Sequence, residues 1–214
     1  MKELNKERYT DRPVGVLDSN AYGMNDGLAS LNQAVRTIKS FKKYSAMNKI
    51  LIIGCPGSGK STFAKALQEI THLPLIHLDL LYWNADKSTV SQEVFVQRLN
   101  TVLALEQWII DGNYAATMEK RLNLCDTVFY LDYPLEVCLQ GIEQRKGKPR
   151  SDMPWIETGE PDLEFIAFVH NFPKVNRYEI IKLLNNYSHL EIHVFKNRKQ
   201  ANAYLHTLAN SIIK

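Results

Sequence analysis

The stretch KILIIGCPGSGKST, residues 49–62, restricts the fold more than any other part of this chain. A run of apolar β-formers, Ile50 to Ile53, leads straight into Gly54, Gly57, Gly59, Lys60 and Ser61, which complete the pattern G-x-x-x-x-G-K-S of a phosphate-binding loop. Glycines let successive backbone N–H groups turn inward around a polyphosphate. A helix starting near Lys60 adds its free N–H groups and the positive end of its dipole. Gly54, Pro56, Gly57, Ser58, Gly59, Lys60, Ser61 and Thr62 are therefore the expected nucleotide cradle. Within it Lys60 is expected to lie along the β- and γ-phosphates, and the Ser61 hydroxyl to take one position on Mg²⁺. Phe63, Ala66, Leu67 and Ile70, at i, i+3, i+4 and i+7, supply the helical stripe that must follow such a loop.

Composition narrows the class. With 45% apolar residues in 214, the chain can bury the core of one ordinary domain. The opening MKELNKERYTDRP has no apolar segment of a secretory signal, and no run reaches the roughly 18 apolar residues of a membrane span. A soluble, cytoplasmic protein is the expectation. Cys55, Cys125 and Cys138 lack C-x-x-C spacing and the histidines form no H-x-x-x-H pair, which argues against a disulfide frame or a zinc site. Cys55, inside the loop, reads as a small space-filling side chain rather than a reactive thiolate. The net charge of +3 sits at the start of the chain: eight of the 26 Lys and Arg and five of the 23 Asp and Glu precede Met47, leaving 18 of each beyond it. That balance gives no support for a nucleic-acid partner of the main domain.

Residues 1–46 read as an extension, irregular at first and then a basic amphipathic helix over 25–44, with Leu28, Leu31, Val35 and Ile38 on one face. From Met47 strands alternate with helices. LPLIHLD (73–79) is a second strand ending in an acid. A helix follows, with caps offered by Ser88 to Ser91 and a core stripe of Val94, Phe95, Leu99, Val102 and Leu103. WIIDGNY (108–114) is a third strand, DTVFYL (126–131) a fourth stopping at Asp132, and LEIHVF (190–195) a fifth. Pro134 is placed to start one helix, and a last helix covers 198–213. Strands apolar throughout and separated by helices predict a parallel sheet covered on both faces, with ligands beyond the carboxyl ends of its strands. The loop, Asp79, Asp111 and Asp132 all fall there. Asp111 and Asp132 also suit plain capping of the turns that follow them. Residues 145–177 form a polar excursion carrying Arg145, Lys146, Lys148 and Arg150, which reads as a lid whose cations close on a transferring phosphoryl group.

The guanine-specific N-K-x-D pattern is missing, since Asn197-Arg198-Lys199-Gln200 ends in glutamine, and the domain is short for a helicase or AAA core. A small kinase is left. GCPGSGKST, LPLIHLDLLYW, WIIDGNY, DTVFYLDYP and the R-x-x-x-x-R segment together resemble the DNA topology modulation, or FlaR-like, group, a branch of the adenylate kinase and shikimate kinase superfamily. The resemblance covers nearly everything from Met47 onward. It implies an α/β, three-layer P-loop NTPase with a five-stranded parallel sheet and a lid insertion, binding ATP and Mg²⁺. Adenylate kinases follow their second and third strands with T-G-D-L-L-R and D-G-F-P-R, whose arginines hold the phosphate of AMP. Trp83 and Ala115 stand near those positions here.

An acceptor that already carries a phosphate is therefore disfavoured. A pocket of Asp79, Tyr82, Trp83, Asp111, Asn113 and Tyr114 suits a neutral, hydroxyl-bearing or aromatic molecule such as a nucleoside, within the broader class of small nucleoside- or nucleotide-like acceptors. In this scheme Lys60, Asp79, Arg145 and Arg150 are the catalytic residues, Asp79 orienting the acceptor hydroxyl for attack, and Asp132 or Asp79 holds Mg²⁺ with Ser61. The alternative is an ATP-binding regulator acting on DNA topology or a partner protein, for which the basic helix over 25–44 is the best support.

Overall fold

The structure is a computed structural model and describes residues 47–156 and 162–212. The extension over 1–46 and its basic helix lie outside the described residues, and so does the support they lent to a regulator.

Five strands form one parallel sheet in the order β2-β3-β1-β4-β5. They are β1 (Lys49–Gly54), β2 (Leu75–His77), β3 (Trp108–Asp111), β4 (Thr127–Leu131) and β5 (Glu191–Phe195). Successive side chains of a strand point to opposite faces, yet Ile50 to Ile53, Trp108 to Ile110 and Val128 to Leu131 are all buried. Both faces are thus covered, as the unbroken apolar runs imply. Helices α1 (Lys60–Thr71), α2 (Leu78–Tyr82), α3 (Gln92–Leu103), α4 (Met118–Leu122), α5 (Leu135–Arg145), α6 (Leu163–Asn171), α7 (Asn176–Leu184) and α8 (Arg198–Ile212) surround it. Phe63 of α1 packs its ring 5.1 Å from Phe129 of β4 and 5.7 Å from Phe195 of β5, fixing the helix that carries the phosphate loop to the sheet.

The sequence reading overran several boundaries. β2 stops at His77, and Asp79 lies in the first turn of α2, where a carboxylate complements the helix dipole. β3 ends at Asp111, because Gly112 at φ +126° and Tyr114 at φ +39° turn the chain away from the sheet. Ser91 does cap α3, its hydroxyl accepting the Val94 N–H, but Val94 itself faces outward while Phe95, Leu99 and Leu103 carry the stripe. Asp126 precedes β4 rather than starting it; its carboxylate accepts the N–H groups of Asn48 and Lys49 at 2.9 Å each and anchors the start of β1. The excursion after α5 contains α6, capped by Asp162, and reaches the start of α7. No helix among the described residues is long and apolar enough to cross a membrane.

Candidate active site

The loop between β1 and α1 is shaped by Gly57 at φ +80° and Gly59 at φ +94°. Lys60 folds back along it, donating from Nζ to the carbonyl oxygens of Gly54 (3.0 Å) and Cys55 (3.2 Å). Burial pulls its ammonium below the ordinary lysine value, against the attraction of Asp111 and Asp79. The loop's other side rests on α5. A Cβ on Gly57 would come 2.0 Å from the Cys138 carbonyl oxygen, and one on Gly141 would come 2.0 Å from that of Gly57. Cys55 is buried, and a hydrogen bond with Cys138 together with desolvation pushes its thiol up, as suits a packing residue.

Above the loop lies a cavity of about 850 Å³. It brings Pro56, Gly57, Gly59, Lys60, Ser61 and Thr62 together with Asp79, Trp83, Asp111, Asn113, Tyr114, Arg145 and Arg150. Gly54 and Ser58 are buried and do not line it. Asn113 clamps the loop: its Oδ1 accepts the Gly54 N–H at 3.0 Å and its Nδ2 donates to the Gly54 carbonyl at 2.8 Å.

The acids are held in different ways. Asp79 accepts the Tyr114 hydroxyl on Oδ1 at 2.7 Å, and burial raises its carboxyl above the usual value despite that bond and the nearby Lys60. Burial and Asp79 in turn push the Tyr114 phenol up. Asp111 lies opposite His77 in the β2–β3 register, Oδ1 2.7 Å from Nδ1, both buried; an ionised Asp111 requires the imidazole proton on Nδ1. Asp132 stands apart on the far side of β1 from Asp111. Arg177 grips it at 2.7 and 2.9 Å and Lys196 donates to Oδ2. Burial opposes these bonds, yet they hold its carboxyl below the ordinary range. It faces a separate cavity of about 270 Å³ beside Cys55, Pro134 and Phe172. Tyr82 also leaves the main cavity, its ring meeting Tyr114 at 5.2 Å and Trp83 at 5.3 Å as a second row behind the wall.

Other contributors escaped the sequence reading. Trp155 crosses Trp83 edge-on at 5.3 Å, so one tryptophan after α2 and one after α5 meet over the cavity. Lys65 and Lys87 line it as well, adding positive charge to the cavity wall. The Arg145 guanidinium lies 5.7 Å above the Phe165 ring of α6. Arg150 pairs with Asp152, which in turn accepts the Ser61 hydroxyl. Arg121, wholly buried, donates to the carbonyls of Gly112 (2.8 Å), Asn113, Tyr114 (2.9 Å) and Thr117 (3.3 Å). Burial disfavours its charge and pulls the guanidinium down. The four carbonyl dipoles offset that cost, and the 112–117 turn is hung on this one side chain. Its spacing held a signal, since Met118, Arg121 and Leu122 share one helical face and all three are buried.

No protein-family model matches the chain, and no curated protein matches it. Among solved structures it is similar to the shikimate kinase from Bacteroides thetaiotaomicron, with a TM-score of 0.51 and 18% identity over 79% of this chain and 100% of that one. It is likewise similar to the shikimate kinase from Acinetobacter baumannii in complex with shikimate, with a TM-score of 0.50 and 19% identity over 81% and 99%. The FlaR-like resemblance is one of sequence motifs, and these neighbours do not extend it. What they share with this chain is architecture: a five-stranded parallel sheet ringed by helices, the α/β fold of P-loop kinases.

Proposed function

We propose that this protein is a small-molecule kinase that transfers the γ-phosphoryl group of ATP to a hydroxyl-bearing acceptor, nucleoside- or nucleotide-like. One observation carries the reading: Lys60, Ser61, Asp79, Arg145 and Arg150 border a single cavity with Trp83 and Trp155 over it. A glycine loop with an ammonium folded along it and a hydroxyl at the helix start fits a triphosphate with its metal. Gly57, Gly59, Lys60, Ser61 and Thr62 would hold the triphosphate, and Ser61 would ligate Mg²⁺. The metal, when bound, neutralises charge on the phosphates.

The chain's own groups do the rest. Asp79, raised by burial and steadied by Tyr114, would accept the proton of the acceptor hydroxyl. Trp83 and Trp155 give a planar acceptor two aromatic surfaces and exclude water. Arg145 and Arg150, from the segment beyond α5, supply positive charge near the transferring group. The fold of the shikimate kinases, which act on a small molecule, is consistent with this reading and does not name the acceptor. The test is a panel of nucleosides, nucleotides and small alcohols incubated with ATP and Mg²⁺, with Asp79→Asn alongside. At least one acceptor is expected to raise ADP production well above the Asp79→Asn level. A panel in which none does so removes the kinase reading.

A further inference from the structure

The acid that touches Ser61 is none of those at the strand ends. Asp152, between α5 and α6, accepts the Ser61 hydroxyl on Oδ2 at 2.7 Å. It is 3% exposed, although it belongs to a polar segment. Arg150 meets its other edge, Nη2 2.6 Å from Oδ2 and Nε 3.1 Å from Oδ1. Burial works against ionisation, yet Arg150 and Ser61 hold the Asp152 carboxyl well below the usual range. Asp79 is occupied by Tyr114, Asp111 by His77, and Asp132 by Arg177 and Lys196 in the other cavity.

We propose that Asp152 is the protein carboxylate of the metal site, joining Ser61 as an oxygen ligand of Mg²⁺ when nucleotide is bound. This rests on the ATP-dependent kinase reading above. Octahedral Mg²⁺ holds oxygens at about 2.0–2.1 Å, which sets neighbouring ligands roughly 2.9 Å apart. The Ser61 and Asp152 oxygens already stand at 2.7 Å, so both reach one ion with a shift of a few tenths of an ångström. Charge points the same way. A triphosphate brought to Lys60, Ser61 and Thr62 beside a buried carboxylate is repelled unless a divalent cation lies between them. In the structure Arg150 supplies the neutralising charge. Mg²⁺ replaces it, the Ser61 hydroxyl keeps its proton and turns it to another acceptor, and Arg150 is released within the same cavity towards the phosphates.

Mn²⁺ serves as the probe, its binding followed by electron paramagnetic resonance on the full chain with a non-hydrolysable ATP analogue. Asp152→Asn is expected to weaken Mn²⁺ about tenfold or more, as loss of a direct oxygen ligand should exceed the cost of an outer-shell one. Asp132→Asn should leave it within about twofold. Arg150→Gln, which removes the competing cation and does not depend on Asp152→Asn folding, should tighten Mn²⁺ in the absence of the analogue, where no phosphate engages the guanidinium. If Asp152→Asn instead strengthens analogue binding equally with and without metal and leaves Mn²⁺ affinity unchanged, Asp152 is only a latch and the assignment is overturned while the kinase reading stands. Wild-type protein that binds neither the analogue nor Mn²⁺ with it overturns both.

Discussion

The two ends of the cavity are made of different material. At the phosphate end the framework is backbone, bent at Gly57 and Gly59, clamped through Gly54 by Asn113 and backed by α5. At the end proposed for the acceptor every group offered for recognition is a side chain: Asp79 from α2, Tyr114 from the turn after β3, Trp83, and Trp155 from the segment after α5. A backbone cradle recurs wherever its glycines recur, whereas a wall of side chains can change chemistry one residue at a time. Damage at the first end should abolish turnover for every acceptor, and damage at the second should change turnover or acceptor preference while leaving ATP binding intact.

Substitutions can break that division or sharpen it. Lys60→Ala is expected to lower kcat by about 10³-fold or more with any acceptor, measured by coupled ADP release. Arg121→Ala tests whether the turn depends on its guanidinium. Four carbonyls, two in buried and two in part-buried bonds, lose their donor, and urea unfolding should show a loss of about 3 kcal/mol or more. Asp79→Asn should lower kcat by about 10²-fold while the ATP dissociation constant stays within about twofold; a large change in ATP affinity would mean that the two ends are not separable. Trp155→Ala is expected to raise the acceptor KM about tenfold and leave that for ATP unchanged.

The smallest effect is in the pH profile. Asp79 accepts a proton only when ionised and burial raises its carboxyl, so kcat/KM should be full at higher pH and fall as pH drops through a value above the ordinary carboxylate range. That acid limb should vanish from the residual activity of Asp79→Asn.

Much of this difference was visible in the sequence. KILIIGCPGSGKST declares strand, loop and helix within one continuous stretch, because backbone conformation is written in local residue types. Asp79 and Trp83 were reachable because they follow a strand closely. Trp155 and Asp152 were not, since nothing in RSDMPWIE states that a tryptophan will meet Trp83 or an acid Ser61 across so much intervening chain. Asn113 shows a related limit: beyond a strand end, a polar side chain that binds substrate and one that binds the neighbouring loop look alike in sequence, and this one lines the cavity while it holds Gly54. Asp132 was ambiguous in the same way, and its partners Arg177 and Lys196 come from later elements.

One contact also bears on anyone who would stabilise this protein. Gly141 sits in the middle of α5, at an unremarkable φ, where replacing glycine by alanine is a standard route to higher thermostability. Here the added methyl would collide with the backbone of the phosphate loop, and the loop glycine it faces has no slack to yield. The helix and the loop behave as a fitted joint, and a sequence-level optimiser scoring helix propensity alone would choose this position and jam it.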